Sequence, residues 1–371
     1  MNLQRLAPLT LSLLALVWTI EAGAESGVSS WRKAEPGWTY DFPRDEFSHD
    51  DFKTEWWYFT GNLVETETGR RFGYQLTFFR QGVRPPSTRT PVKSNFVVDH
   101  VWFAHFAISD IKSQRFYVAE KLSRGAFGKA GSDDGERIVW IEDWVLRPGS
   151  GPDKIGNYRF EAETEEFALK LDLATTKPPV FHGEDGVSAK SPDPSNASHY
   201  FALTSIASNG TLRIKDREFQ VTGKSWYDRE WSTSVLSRDQ VGWDWFAMQF
   251  DDGAELMLFQ LRNPEGGVNF SNGTYIHPDG TTTSLGDGEF ALNPKRTWKS
   301  KTSGGIYPIA WGVSVPGLNL NLDIRAAFPD QELRLNIFNY WEGATLISGD
   351  RQGRGYLEMT GYAGQLQGLS E

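Results

Sequence analysis

Apolar and polar residues alternate with a period of two along most of the chain. Phe72, Tyr74, Leu76 and Phe78 alternate with Gly73, Gln75 and Thr77, and Phe167, Leu169, Leu171 and Leu173 alternate with Glu166, Ala168, Lys170 and Asp172. Leu318, Leu320, Leu322 and Ile324 repeat the pattern, as do Leu333, Leu335 and Ile337. Each run predicts a strand with one dry face and one wet face. The runs at 101–108 and 255–261 are apolar on both faces, which predicts central strands. Asn209-Gly210, Asp252-Gly253, Asn272-Gly273, Asp279-Gly280 and Asp287-Gly288 favour the positive φ angles of tight hairpins and predict turns. Helical periodicity is absent apart from room for one turn at 234–240. The pattern predicts an all-β chain with antiparallel connections.

The strands continue well past the eight or so of a small barrel, so two barrels or sandwiches in tandem are expected. A length of 371 residues also points to two domains. The stretch at 176–198 is rich in Pro, Gly, Ser and Lys and reads as a surface loop. The pattern breaks at Gly223 and restarts at Val241. A short echo marks the two halves: Glu55-Trp56-Trp57-Tyr58 opens the first, and Trp226-Tyr227-Asp228-Arg229-Glu230-Trp231 the second. Residues 1–24 have the form of an export signal, with Arg5, an apolar stretch from Leu6 to Ile20, and Ala22-Gly23-Ala24 as a small-x-small cleavage site. The expected division is a signal at 1–24, an N-terminal domain at 25–228 and a C-terminal domain at 229–371, in a protein of the periplasm or the cell exterior.

Composition narrows the chemistry. Fifteen Trp and 24 Phe compensate for a hydrophobic content of 39%, since each ring buries about 150–250 Å². A net charge of −10 argues against nucleic acid as a partner. The absence of cysteine removes disulfides, thiolate catalysis and Cys-based zinc sites. Nucleophile-elbow, zinc-protease, phosphate-loop and dinucleotide motifs are missing as well. His100 and His105 fall on opposite faces of a strand, so they do not share a metal. No metal or other cofactor is expected.

What the chain does carry is acids embedded in aromatics. Glu55 precedes Trp56, Trp57 and Tyr58, and Asp143 precedes Trp144. Asp228, Arg229 and Glu230 lie between Trp226-Tyr227 and Trp231, Asp244 lies between Trp243 and Trp245, and Glu342 follows Tyr340 and Trp341. A carboxyl among indoles is pushed toward its neutral form and can act as a general acid near neutral pH. Indole faces also stabilise a cation formed beside them. The bland alternative is that Arg80, Arg124 or Arg229 neutralises these acids in structural ion pairs. Two sites are expected, around Glu55–Tyr58 and around Asp228–Trp245, both suited to a large apolar ligand.

The same motifs carry a resemblance. Phe52-Lys53-Thr54-Glu55-Trp56-Trp57-Tyr58-Phe59-Thr60-Gly61-Asn62-Leu63, Gln75–Arg80, Ala104–Asp110, Ala197–Tyr200, Trp226–Ser232, Gly242–Trp245, Tyr340–Ala344 and Gly353–Tyr362 resemble the AttH-like and carotenoid 1,2-hydratase (hydroxyneurosporene synthase) family over roughly residues 35–365. The resemblance implies two tandem lipocalin-like antiparallel β-barrel domains. It also implies one of several functions. The exported branch, which this chain resembles most, implies an apolar-ligand binder serving an ABC-type exporter, or a secreted hydrolase. The hydratases imply a cofactor-independent lyase that adds water to an isoprenoid double bond. Asp228, Asp244 and Trp231 are then the candidate catalytic residues. Glu55, Trp56, Trp57, Tyr58, Trp226, Tyr227, Arg229, Glu230, Trp243, Trp245, Tyr340, Trp341 and Glu342 are the candidate ligand contacts. One departure stands out: Arg229 occupies the place of a histidine in the hydratases, and arginine cannot move a proton near neutral pH.

Overall fold

The computed structural model describes residues 31–89, 94–133, 135–149, 155–234, 236–336 and 339–364. The expected export signal lies outside the described residues. Among them, no helix is long and apolar enough to cross a membrane, and helical structure is confined to short 3-10 turns such as Arg44–Glu46 and Pro316–Leu318. The chain is all-β, in two large antiparallel sheets, one a nearly closed barrel and the other a half-barrel.

The first sheet runs, in hydrogen-bonded order, through Arg115–Ser123, His100–Asp110, Arg71–Gly82, Thr54–Glu65, Arg217–Ser232, Ala197–Ile214, Phe167–Thr175, Asn157–Glu163, Trp144–Pro148, Val139–Ile141 and Ala130–Gly131. The second runs through Thr282–Leu285, Val268–Ile276, Glu255–Arg262, Gly242–Phe250, Gly353–Met359, Asn339–Gly349, Leu320–Ala326, Ile306–Val315 and Ala291–Lys299. The sheet changes between Ser232 and Gly242. Asp228 and Arg229 both lie within the last strand of the first sheet.

Alternation puts one set of side chains inside each curl. Phe72, Leu76, Phe106, Leu169, Leu171 and Tyr227 fill the first, and Phe246, Leu258, Trp311, Leu322 and Leu357 fill the second. The segment before the first strand adds Trp38, Tyr40, Phe42 and Phe47 to the first core. The runs at 101–108 and 255–261 lie in strands with a neighbour on each side. Their second face is dry because it meets the other sheet: His105 shares a 2.8 Å hydrogen bond with Tyr340, and Met257, Phe259 and Leu261 join Tyr58, Tyr200, Trp226 and Trp245 in a third apolar cluster.

Three of the glycine dipeptides form turns, with Gly253, Gly280 and Gly288 at positive φ. The other two do not. Asn209-Gly210 lies inside Ala197–Ile214 and Asn272-Gly273 inside Val268–Ile276. A Cβ on Gly210 would stand 2.0 Å from the Lys170 carbonyl oxygen, and one on Gly273 2.4 Å from a Leu258 methyl carbon. These glycines answer close approach within a sheet rather than a need to reverse the chain. Gly223 likewise continues its strand instead of ending it. The run at 318–324 starts two residues late, because Pro316–Leu318 closes a turn first, and in the run at 333–337 Glu332–Arg334 forms a short strand, while Ile337 lies outside the described residues.

The two sheets approach closely at Gly73, where an added Cβ would lie 2.6 Å from that of Ala344 in the other sheet. Gly73→Val should therefore force the sheets apart and lower stability by about 1–3 kcal/mol, the usual cost of overpacking. Urea unfolding checks this; an unchanged midpoint would show that the sheets do not press together there.

Candidate active site between the two sheets

The two aromatic–acid segments that looked like openings of separate halves are neighbours in one sheet. Thr54–Glu65 pairs antiparallel with Arg217–Ser232, setting Glu55 opposite Trp231, Trp57 opposite Arg229, and Tyr58 opposite Asp228. Strand alternation then divides each segment between two faces. Glu55, Trp57, Tyr227, Arg229 and Trp231 point into the first barrel. Trp56, Tyr58, Trp226, Asp228 and Glu230 point out, toward the second sheet.

The inward set forms a buried ion cluster. Glu55 is ion-paired to both Arg80 and Arg229 with no exposed side-chain surface on any of the three. Burial alone would raise the Glu55 carboxyl, but the two guanidiniums outweigh it and hold it well below the usual range. Arg80 also donates to the carbonyls of His49 at 2.9 Å and Phe52 at 2.8 Å, and Arg229 donates to that of Phe47 at 2.7 Å. The Arg229 guanidinium lies 4.0 Å over the Trp57 ring. His49 completes the group: its ring stacks on Trp231 at 3.8 Å, with Nε2 3.0 Å from Asp45. Deeper in the barrel, burial lifts Glu46 to about 7, although Tyr158 and Tyr227 donate hydrogen bonds to it. The two terminal nitrogens of Arg229 are thus spent on Glu55, the Trp56 and Glu230 carbonyls and the segment before the first strand, while its Nε has no partner. It does not face Asp228.

The outward set lies on a continuous cross-strand row. Tyr200, Glu230, Trp56, Phe79 and Phe103 are successive partners across five strands, and Ala202, Asp228, Tyr58, Thr77 and His105 form the next row. Facing them, Phe259, Trp245, Glu358 and Glu342 are successive partners in the second sheet. Trp245 joins the two faces. Its ring is 5.3 Å from Tyr58 and 6.1 Å from Trp226, and its indole donates to the Tyr200 hydroxyl at 3.2 Å. Trp56, Phe79, Phe103, Trp243 and Glu358 keep part of their surface accessible, so this seam has an open, aromatic margin.

The acids on this seam behave differently from Glu55. Burial lifts Asp228 to about 8, against hydrogen bonds from Trp226 (2.7 Å) and Tyr200. Burial also lifts Glu358 to about 8, against a hydrogen bond from Trp243, with Asp228 and Glu230 adding repulsion. Glu342, beside Glu358, is raised well above the usual range by burial and by that neighbour. Glu230 has a partner: Lys190 Nζ lies 2.8 Å away, and the Ser198 hydroxyl donates to it. The seam therefore holds neutral carboxyls near pH 7, next to indoles. Such groups can donate a proton to a bound apolar molecule.

Besides Glu55, Trp57, Tyr227, Arg229 and Trp231, which face into the first barrel, two more expected site residues lie off the seam. Asp244 points into the second half-barrel, against Gln260 (2.8 Å) and Arg262 (3.2 Å), while its neighbours Trp243 and Trp245 face the first sheet. Trp341 is likewise turned into the second core, whereas Tyr340 and Glu342 face the first sheet. His49, Tyr200, Tyr356 and Glu358 were not singled out from the sequence. For Glu358 a signal existed, since an acid in the apolar run Tyr356–Met359 is as conspicuous as Asp244. His49 sits in a loop with no periodicity to place it. Among the described residues, no group of three or more His, Asp or Glu is arranged to hold a metal ion.

The ion cluster makes a direct prediction. Arg229→Met should lower stability by about 3–5 kcal/mol, the usual result of removing one partner of a buried pair. Because the Glu55 pKa is depressed, the stability it contributes is present above its free value of about 4.5 and is lost as pH falls below it. The variant should accordingly lose less on acidification than the wild type. Urea unfolding at pH 7 and pH 4 reads both effects, and equal acid sensitivity would rule out Glu55 as the anchor.

Comparison with known proteins agrees with this architecture. The AttH-like family pattern matches residues 33–362. A crystal structure described as an AttH protein from Nitrosomonas europaea shares 33% identity, with a TM-score of 0.79, over 89% of this chain and 99% of that one. Kievitone hydratase from Nectria haematococca has the same fold, with a TM-score of 0.66 over 92% of this chain and 96% of that one, at 15% identity. Comparison with curated proteins gives no match. From the length of the family match and the identity to the first of these structures, the chain belongs to the AttH-like family.

Proposed function

We propose that this protein is a cofactor-independent hydro-lyase that adds water to a carbon–carbon double bond of an apolar, isoprenoid-like ligand bound at the seam between the sheets. The observation that carries this reading is Asp228: a buried carboxyl lifted to about 8 and set on a face shared with Trp56, Tyr58 and Trp226, with Trp245 opposite. A neutral carboxyl can protonate the double bond, and the indole faces shield the resulting cation. The hydratase among proteins of this fold and the resemblance to carotenoid hydratases support the same chemistry. Neither Asp244 nor Trp231 enters it, since both face away from the seam. The signal-like residues 1–24 fit a protein working in the periplasm or outside the cell.

Asp228→Asn should abolish turnover while leaving ligand affinity and fold unchanged. Because the acid must be protonated, wild-type turnover should fall as pH rises through about 8. Turnover retained in the variant would remove Asp228 from the mechanism.

One observation favours a second reading. Arg229, in the place of the hydratases' histidine, is locked into the ion cluster and contributes nothing to proton transfer. The seam could then serve a carrier that holds a lipid-like molecule and passes it to an ABC-type membrane transporter, which requires no acid. Native mass spectrometry of protein purified from its own host should then show a bound apolar molecule. A consistently empty protein, with no quenching of Trp fluorescence by fatty acids or isoprenoids, would count against the carrier.

A further inference from the structure

A group of buried oxygens on the seam has more hydrogen-bonding capacity than the protein's own contacts use. The Glu342 carboxyl is reached by the Tyr58 hydroxyl, and the Tyr356 hydroxyl by Ser109, but no well-aligned hydrogen bond satisfies either Glu342 oxygen or either hydroxyl. All three side chains are buried, and the groups lie close enough for the Glu342 charge to raise both tyrosines. They come from three strands in two sheets: Tyr58 from Thr54–Glu65, Glu342 from Asn339–Gly349, and Tyr356 from Gly353–Met359. Buried polar groups without partners are rare and are commonly satisfied by an ordered water. Here the donors and acceptors match one. The two hydroxyls can donate to or accept from a water, and the carboxyl can accept from it.

The same place adjoins both halves of the chemistry. Tyr58 is the cross-strand partner of Asp228, and Glu342 is the cross-strand partner of Glu358. Glu358 differs from Glu342 in keeping part of its surface accessible.

We propose that Tyr58, Tyr356 and Glu342 hold the water that is added to the ligand, and that Glu358 is the base that takes its proton. The inference rests on the hydration reading. Asp228 gives its proton to one alkene carbon, the π pair forming the new C–H bond and leaving a cation at the other carbon. A lone pair of the held water forms the C–O bond, and one of its protons passes to the Glu358 carboxylate. Proton return from Glu358 to Asp228 through solvent resets the site, with a hydrogen and a hydroxyl added and no change of oxidation state overall. Burial puts Glu358 at about 8, so it is mostly neutral near pH 7 and becomes the carboxylate that takes the proton as pH approaches 8. With Asp228 also at about 8, turnover peaks near pH 8, where protonated Asp228 and ionised Glu358 coexist. Glu342 stays neutral beside it, while Lys190 compensates Glu230. His105, pushed down to about 3 by burial, is uncharged.

The test separates protonation from water addition. Full-length protein is incubated with farnesol or squalene in H2(18)O and, separately, in D2O. Deuterium in recovered alkene reports protonation by Asp228, and heavy oxygen in the alcohol reports water addition. Glu358→Gln should keep deuterium exchange and lose heavy-oxygen incorporation by about 100-fold or more, the scale of general-base catalysis. Tyr356→Phe, a milder change that covers a failure of Glu358→Gln to fold, should lose about 10-fold in the same signal with ligand affinity unchanged. Full incorporation by either folded variant overturns the proposal and leaves the hydration reading intact. Deuterium exchange surviving in Asp228→Asn overturns Asp228 as the acid, and no reaction of the wild type with either alkene overturns the hydration reading itself.

Discussion

The structure depends on one buried ion cluster. Glu55 is held by Arg80 and Arg229, and the same two guanidiniums reach the carbonyls of residues 47, 49 and 52. Three adjacent strands and the segment leading into them are therefore tied at one point inside the first barrel. Two cations around one buried carboxylate would be costly if any donor were left idle; the carbonyls and the Trp57 ring absorb most of the remainder. Fixing Arg229 fixes its strand, and fixing that strand sets Asp228 on the outer face. The seam between the sheets inherits its register from the cluster inside.

The two faces of that strand use acids in opposite ways. Inside, Coulombic attraction wins over burial, and Glu55 stays charged and structural. Outside, no cation comes close enough to Asp228, Glu342 or Glu358, and burial wins. An acid kept neutral in this way makes the fold less stable as pH rises from its free value toward about 8, because the folded state then binds more protons than the unfolded chain. Such a burden is typical of sites where stability gives way to chemistry. The barrel interior, by contrast, is filled by its own side chains, with Trp38, Tyr40 and Phe42 packed against that core. The proposed function therefore seats its ligand between the sheets rather than within a lipocalin-like cup.

The sequence by itself determined the class of fold, because period-two alternation can be satisfied only by strands with one buried face. It also showed which residues are unusual: the acids beside tryptophans at Glu55, Asp228, Asp244 and Glu342. Alternation even contains the division of Asp228 from Arg229, since adjacent strand residues must face opposite ways. What it did not contain was the pairing of 54–65 with 217–232, the packing of one sheet on the other, or whether an acid meets an arginine or another acid. Those contacts join residues on different strands, up to the 174 positions between Glu55 and Arg229, and local pattern carries no information about them. Glycine shows the same limit: Asn209-Gly210 and Asp252-Gly253 look alike in the chain, and only the neighbouring strand decides that one is a close approach and the other a turn. The charge state of each acid, and with it the chemistry available to the protein, was decided by tertiary structure, because desolvation and Coulombic partners act through space.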